Sequence, residues 1–331
     1  MESIAIGRRQ FDPISYLFYI SPEANHLSMA AIELNGLTKQ YGGSVMALRG
    51  VDLRVNKGEV FGFLGPNGAG KSTTINILLD FVRPTSGTAS VLGFDAQADS
   101  QEVRRRTGVL PEGYKVYDRL TARHHVEFVA ESKAVDDDPV AVLERVGLGD
   151  AVDRKAGDFS KGMKQRLTLG MALVGDPDLL ILDEPSTGLD PSGVQDVRQI
   201  VNEESDRGTT VFFSSHILSQ VEAVCDRVGI LREGELVAVD TVDGLRDAAG
   251  TQATLRVTAD GVTDEAVGAV QSLSGVSNVS FSDGLLTASV EDGAKMNVVT
   301  TLEDNGASVS DFETEEASLE ELFMAYTGGE R

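Results

Sequence analysis

The run Gly65-Pro66-Asn67-Gly68-Ala69-Gly70-Lys71-Ser72 constrains this chain more than any other feature. It fits the pattern G-x-x-x-x-G-K-[ST], and it stands between a continuous apolar run, Val60-Phe-Gly-Phe-Leu64, and an apolar stretch that reads as a helix over 74–81. A buried strand that passes through a glycine-rich turn into a helix leaves backbone N–H groups at the helix start, where an anion binds. The glycines let those N–H groups turn inward around a β-phosphate. Lys71 adds a point charge for the β and γ oxygens, the Ser72 hydroxyl can ligate Mg²⁺, and Thr73 follows as a further candidate contact. A glycine-rich turn with a chance Gly-Lys-Ser is the plainer alternative; the strand before it and the helix after it argue against that.

A second apolar run, Leu179-Leu-Ile-Leu182, leads into Asp183-Glu184, with Asp183 standing 112 residues after Lys71. Two carboxylates at the end of a buried strand are costly unless they meet a cation or a bound water. Asp183 suits an Mg²⁺ shell, and Glu184 suits a general base that polarises an attacking water. A strand end that simply reaches solvent is the alternative, and it weakens beside a phosphate loop.

Composition narrows the setting. The chain has 331 residues, so about one domain per 150 residues gives two. Its 29 Lys and Arg against 52 Asp and Glu leave a formal charge of −23, which repels phosphate backbones and argues against a nucleic-acid partner. Cys225 is the single cysteine, so an intrachain disulfide is excluded and the spacing offers no zinc cluster. No apolar run approaches the roughly 18 to 20 residues that cross a bilayer, so a membrane role needs a partner. Lysine is scarce, at nine residues against twenty arginines. A lysine-poor, aspartate-rich surface suits a cytosol of very high salt, where its self-repulsion is screened.

Residues 1–30 carry no clear period and no signal-peptide pattern, and read as an N-terminal extension without order; the strand-like Ala31-Ile-Glu-Leu-Asn35 just after Met29 makes Met29 a candidate start. From 31 to about 250, β-branched runs such as Val211-Phe-Phe213 alternate with helical stretches, the pattern of an α/β domain. Residues 251–331 hold fifteen acidic and three basic residues and form a separate unit. Its sequence predicts a strand over 253–259, a helix near 264–273, two strands around the hairpin signal Asp283-Gly284, a helix over 291–305 and a strand over 308–312. That order, β-α-β-β-α-β, is the split βαβ arrangement of a small ferredoxin-like α+β unit. A last helix is expected to open at Ser318, with Glu321 closing a capping box.

Between the two carboxylates and the phosphate loop lies Phe159-Ser160-Lys161-Gly162-Met163, and here the chain resembles the ATP-binding-cassette (ABC) family. The family signature reads Leu-Ser-Gly-Gly-Gln; Ser160 and Gly162 match it, while Lys161 and Met163 depart in a way common in the exporter branch. Ser160 is also a plain helix N-cap candidate. The resemblance implies roles for further residues. Tyr41 is similar to the aromatic platform on which adenine stacks, Gly188-Leu-Asp190 to the loop that communicates across a dimer, and His216 to the switch histidine at the γ-phosphate. Glu112, in Val109-Leu-Pro-Glu112, takes the place of a glutamine that reaches Mg²⁺ and the attacking water. His26, His124 and His125 match no motif, and His124 and His125 read as surface positions on a helix.

The resemblance covers about residues 31–247 and implies a P-loop NTPase fold with a helical subdomain over about 119–159, and ATP with Mg²⁺ as ligands. It also implies two cassette subunits, expected to be identical, clamping ATP head to tail. A separate membrane permease would seat its cytoplasmic helices on the helical subdomain, placing this chain on the cytoplasmic face of the membrane as the ATPase of an exporter. The tail resembles the accessory domain found after many exporter-type cassettes. A soluble regulatory or DNA-repair relative is the main alternative, and a P-loop kinase or GTPase a weaker one that gives Ser160 and Gly162 no purpose.

Overall fold

The computed structural model describes residues 30–249, 253–291 and 293–315. In chain order the elements are β1 (Ala30–Tyr41), β2 (Val45–Asn56), β3 (Val60–Leu64), α1 (Lys71–Leu78), β4 (Ser86–Val91), β5 (Phe94–Asp95), α2 (Ser100–Arg106), β6 (Thr107–Leu110), α3 (Ala122–Lys133), α4 (Pro139–Arg145), α5 (Lys161–Leu173), β7 (Leu179–Asp183), α6 (Pro191–Asp206), β8 (Thr210–Ser215), α7 (Leu218–Glu222), β9 (Arg227–Arg232), β10 (Glu235–Asp240) and α8 (Val242–Ala249). They continue as β11 (Ala253–Asp260), α9 (Asp264–Gln271), β12 (Val276–Ser282), β13 (Leu285–Val290), α10 (Lys295–Asp304) and β14 (Ser308–Glu315).

Three sheets carry these elements. One has the order β2-β1-β4-β5 and is antiparallel; the second has the order β10-β9-β3-β8-β7-β6. In the second, β9, β3, β8, β7 and β6 run parallel and β10 closes the edge antiparallel. The apolar runs read from the sequence are its central strands, and β3 and β7 are buried at every position because helices and a second sheet cover both faces. Phe61, Phe63 and Phe212 pack between layers with ring centroids 5.1 to 5.9 Å apart, each fully buried ring stabilising by about 1.5 to 3 kcal/mol. Register then fixes the functional edge: Leu64 pairs with Ser215 and Asp183 with Ser214, so the C-terminal ends of β3, β7 and β8 finish side by side.

The helical layer of α3, α4 and α5 shares its core with this sheet. An ion-pair clasp ties α4 to α6. Arg145 meets both carboxylate oxygens of buried Glu204 at 2.8 and 2.9 Å and Asp176 at 2.7 Å.

The last sheet, β12-β13-β11-β14, is antiparallel throughout and has its own core with α9 and α10. This is the strand order that a β-α-β-β-α-β chain makes when each βαβ is split by a strand. Helix α10 starts at Lys295 rather than at Glu291, since Gly293 and Ala294 form a turn before it. Helix α1 starts at Lys71, three residues before the predicted 74, because the phosphate loop itself supplies its first turn. His125 corrects the sequence reading: it is 1% exposed, inside the packing of α3, while His124 is exposed. The predicted capping box at Ser318 and Glu321 and residues 1–29 of the extension predicted over 1–30 lie outside the described residues, and Ala30 already belongs to β1, paired with Asn56.

Candidate functional site

The loop between β3 and α1 is shaped by backbone that only glycine tolerates. At Gly65 a Cβ would come within 2.4 Å of the Leu231 carbonyl oxygen, and at Gly70, with φ at +116°, within 2.6 Å of the Ala47 carbonyl oxygen. The loop borders a cleft of about 290 Å³ lined by Ala47, Pro66, Asn67, Gly68, Gly70, Lys71, Ser72, Thr73, Glu112 and Glu184. Ala69 is buried behind it, with its carbonyl accepting from Gly234 N–H at 2.9 Å.

Charges are buried where the three strands end. Lys71 is 6% exposed and its Nζ donates to the Gly65 carbonyl at 2.6 Å. Glu184 is 8% exposed and holds φ at +52°, a left-handed conformation that costs a non-glycine residue strain and marks functional turns. Its Oε1 stands 3.4 Å from Lys71 Nζ without a hydrogen-bond partner, and its Oε2 lies 2.8 Å from His216 Nδ1. An orphaned carboxylate oxygen facing a cleft is an acceptor waiting for a donor, as an attacking water would be.

Asp183 is 5% exposed and accepts from the Ser214 and Ser72 hydroxyls. Burial pushes its carboxyl above the ordinary range; the two hydroxyl bonds oppose this, the neighbouring Glu184 charge adds to it, and Lys71 pulls it back. A buried carboxylate bonded to a phosphate-loop hydroxyl is a hard oxygen set that fits Mg²⁺.

Ser160, Gly162 and Asp190 lie elsewhere and do not line this cleft. Ser160 caps α5, its Oγ accepting from Met163 N–H at 3.2 Å, and is exposed; Gly162 has open space where a Cβ would stand. Asp190 caps α6 through Gly193 N–H at 2.8 Å. Tyr41 is 38% exposed at the end of β1 with Lys39 Nζ 4.9 Å from its ring centroid, also outside the cleft lining. Sequence reasoning missed Ser214 and Ala47. The run Ser214-Ser215-His216 at the end of an apolar strand was the signal for the first; nothing local marked the second.

A larger groove of about 730 Å³ opens beside the cleft. Exposed Phe81, Tyr114 and Phe128 line it with Arg104, Arg105 and Lys133, and Asp183 lies on its boundary.

Residues 48–187 match the family model described as ABC transporter, and residues 241–327 match that of the ATP-binding protein DrrA1-3-like, C-terminal domain. The linearmycin resistance ATP-binding protein LnrL of Bacillus subtilis is 32% identical over 311 residues, which covers 90% of this chain and 98% of that protein. The chain belongs to the ATP-binding proteins of ABC transporters. The daunorubicin/doxorubicin resistance ATP-binding protein DrrA of Streptomyces peucetius is 36% identical to this ABC ATP-binding protein over 306 residues, covering 90% and 92% of the two chains. A solved ATP-binding subunit of an ABC transporter superposes with a TM-score of 0.61 at 31% identity, over 66% of this chain and 93% of the other. This ABC protein therefore binds ATP and hydrolyses it to power transport, on a mixed α/β P-loop fold followed by a DrrA-like C-terminal domain. The relatives that span it nearly end to end favour transport over a soluble regulatory or repair role.

Proposed function

We propose that the chain drives export through a separate membrane permease, working at the cytoplasmic face as two identical copies that clamp two ATP molecules head to tail. The observation that carries this is the split of the site: one copy holds Lys71, Ser72, Asp183, Glu184 and His216 together, while exposed Ser160 and half-buried Gly162 do not line that cleft. A γ-phosphate in the cleft therefore meets Ser160 and Gly162 only from a second copy.

In this reading the loop residues Gly65 to Thr73 bind the phosphates and Tyr41 stacks on the base. Lys71 holds the γ oxygens, and Glu184 takes a proton from the attacking water while His216 orients its carboxylate. Ser72 and Asp183, with Glu112 at the edge, would hold Mg²⁺, which neutralises charge on the phosphate oxygens when bound. Asp190 fixes the start of α6 beside the seam.

The exposed aromatics and cations of the 730 Å³ groove support it as the seat of the permease, and no helix among the described residues is long and apolar enough to cross a membrane itself. The names of LnrL and DrrA support outward movement of the cargo. The chain divides, on this reading, into an ATP-binding domain over 31–250 and an accessory domain over 251–331. Fractionating cells that carry a tagged chain tests the proposal. It predicts recovery with the membranes together with a polytopic protein, and recovery wholly in the soluble fraction would contradict it.

A further inference from the structure

Two adjacent histidines open α3 and serve different ends. His124 is exposed and completes the helix cap, its backbone N–H donating to Thr121 Oγ1 at 3.2 Å and its Nδ1 accepting from Thr121 N–H. His125 is buried and reaches the preceding loop. Its Nδ1 lies 2.7 Å from the Thr121 carbonyl oxygen, which only accepts, so Nδ1 carries the proton. Nε2 is then a lone-pair acceptor, and it receives the Tyr117 backbone N–H at 2.9 Å while the Tyr117 ring stacks on the imidazole at 6.2 Å. A neutral imidazole with both nitrogens bonded to backbone acts as a fixed bracket between helix and loop.

The loop it holds runs between the cleft and the larger groove described above. Leu110 ends β6 in the parallel sheet, Glu112 lines the nucleotide cleft and Tyr114 lines the larger groove. Beyond Tyr117 the chain is fastened again: the Asp118 carbonyl accepts from Gly157 N–H at 3.0 Å, the Leu120 carbonyl from Ala156 N–H at 2.9 Å, and the Asp118 carboxylate meets Lys164 of α5 at 2.8 Å. Between Leu110 and Tyr117 the internal bond from Tyr114 N–H to the Pro111 carbonyl is long, at 3.4 Å. Val116 packs against the shared core and Tyr114 lines the groove with Phe128 of α3, and the Tyr117 bond then ties the strap to that helix by a hydrogen bond.

We propose that His125 is a positioning residue for the ATPase reaction, fixing the far end of the strap Glu112–Tyr117 so that Glu112 stays at the wall of the nucleotide cleft. The inference rests on reading Glu112 as part of the nucleotide site. Replacing the imidazole by a phenyl ring, which is somewhat larger, keeps an aromatic face for stacking but removes both bonds.

The test uses the full-length chain with Mg-ATP. His125→Phe is expected to speed amide exchange in peptides covering 112–120 while those covering β3 and β7 stay unchanged. It should also raise the KM for ATP about five-fold, the factor that one net hydrogen bond corresponds to. His125→Gln, whose side-chain oxygen can accept the Tyr117 N–H, should restore both. In a double-mutant cycle, Glu112→Ala added to His125→Phe should raise KM no further than either change alone. The proposal is overturned if His125→Phe leaves strap exchange or KM at the wild-type value, if His125→Gln fails to restore them, or if the two KM effects add in full. If Glu112→Ala alone leaves KM unchanged, the reading of Glu112 falls and takes the positioning role with it, whereas strap exchange still reports whether His125 is the bracket. Should His125→Phe fail to fold, His125→Asn takes its place: it keeps a donor near the Nδ1 position but is too short to accept the Tyr117 N–H, so faster strap exchange with a raised KM supports the proposal and a wild-type value of either overturns it.

Discussion

His216 Nδ1 stands 2.8 Å from Glu184 Oε2, joining the residue that follows β8 to the residue that follows β7. The pair exists because those strands are neighbours in register, and it leaves the other Glu184 oxygen facing Lys71 and the cleft. Glu184→Gln keeps the shape and the contact to His216 but removes the proposed base. Turnover should fall by roughly 10² to 10⁴-fold while ATP affinity stays within a factor of about three. Single-turnover hydrolysis beside equilibrium nucleotide binding checks this, and unchanged turnover would remove Glu184 from its role.

Asp183 carries a cost when charged in the free chain. Burial raises its pKa above the ordinary carboxylate value, so the folded state holds its proton to higher pH than the unfolded state does. The penalty is absent below the unfolded pKa and grows as pH rises through the raised value. Asp183→Asn should therefore melt higher than the parent at neutral pH without nucleotide, and the gap should close as pH falls below the ordinary carboxylate pKa. Mg-ATP should stabilise the parent and not the variant. Thermal melts across pH, with and without Mg-ATP, read both effects.

The clasp of Arg145 on Glu204 joins the helical layer to α6. Glu204→Ala leaves a mostly buried guanidinium without its bidentate partner, and removing one member of a buried pair costs about 3 to 5 kcal/mol. Asp176 and solvent retain part of the charge balance, which places the expected loss at the lower end. Urea titration of the single variant is the measurement.

The charge of −23 leads to a prediction about salt. Screening of like charges should raise the melting temperature steadily from dilute buffer into molar KCl, and turnover with it. A melting temperature independent of KCl would remove the proposal of a high-salt setting.

Sequence and structure agree most closely where the signal is local. Val60–Leu64 and Leu179–Leu182 are strands at the expected positions because a short, continuous apolar run flanked by turn residues has few other ways to bury itself. The tail was legible as β-α-β-β-α-β for the same reason, helped by Asp283-Gly284, where both residues adopt positive φ. Residues that depend on distant pairing were not legible. Ser214 reaches Asp183 only because β8 lies next to β7. His125 reads as a polar helical position, and its burial depends on the loop after β6 folding back onto α3, a contact that no periodicity records. The roles of Ser160 and Gly162 came from resemblance, since their local geometry is that of an ordinary helix cap.

Sedimentation of the Glu184→Gln chain with Mg-ATP, beside the same chain carrying Ser160→Arg, tests most directly whether nucleotide is held between two copies. The account predicts a monomer without nucleotide, a dimer with it, and a monomer again once Ser160 is replaced. A chain that remains monomeric with ATP, while the Ser160→Arg form of the parent hydrolyses ATP at the parent's rate, would contradict it.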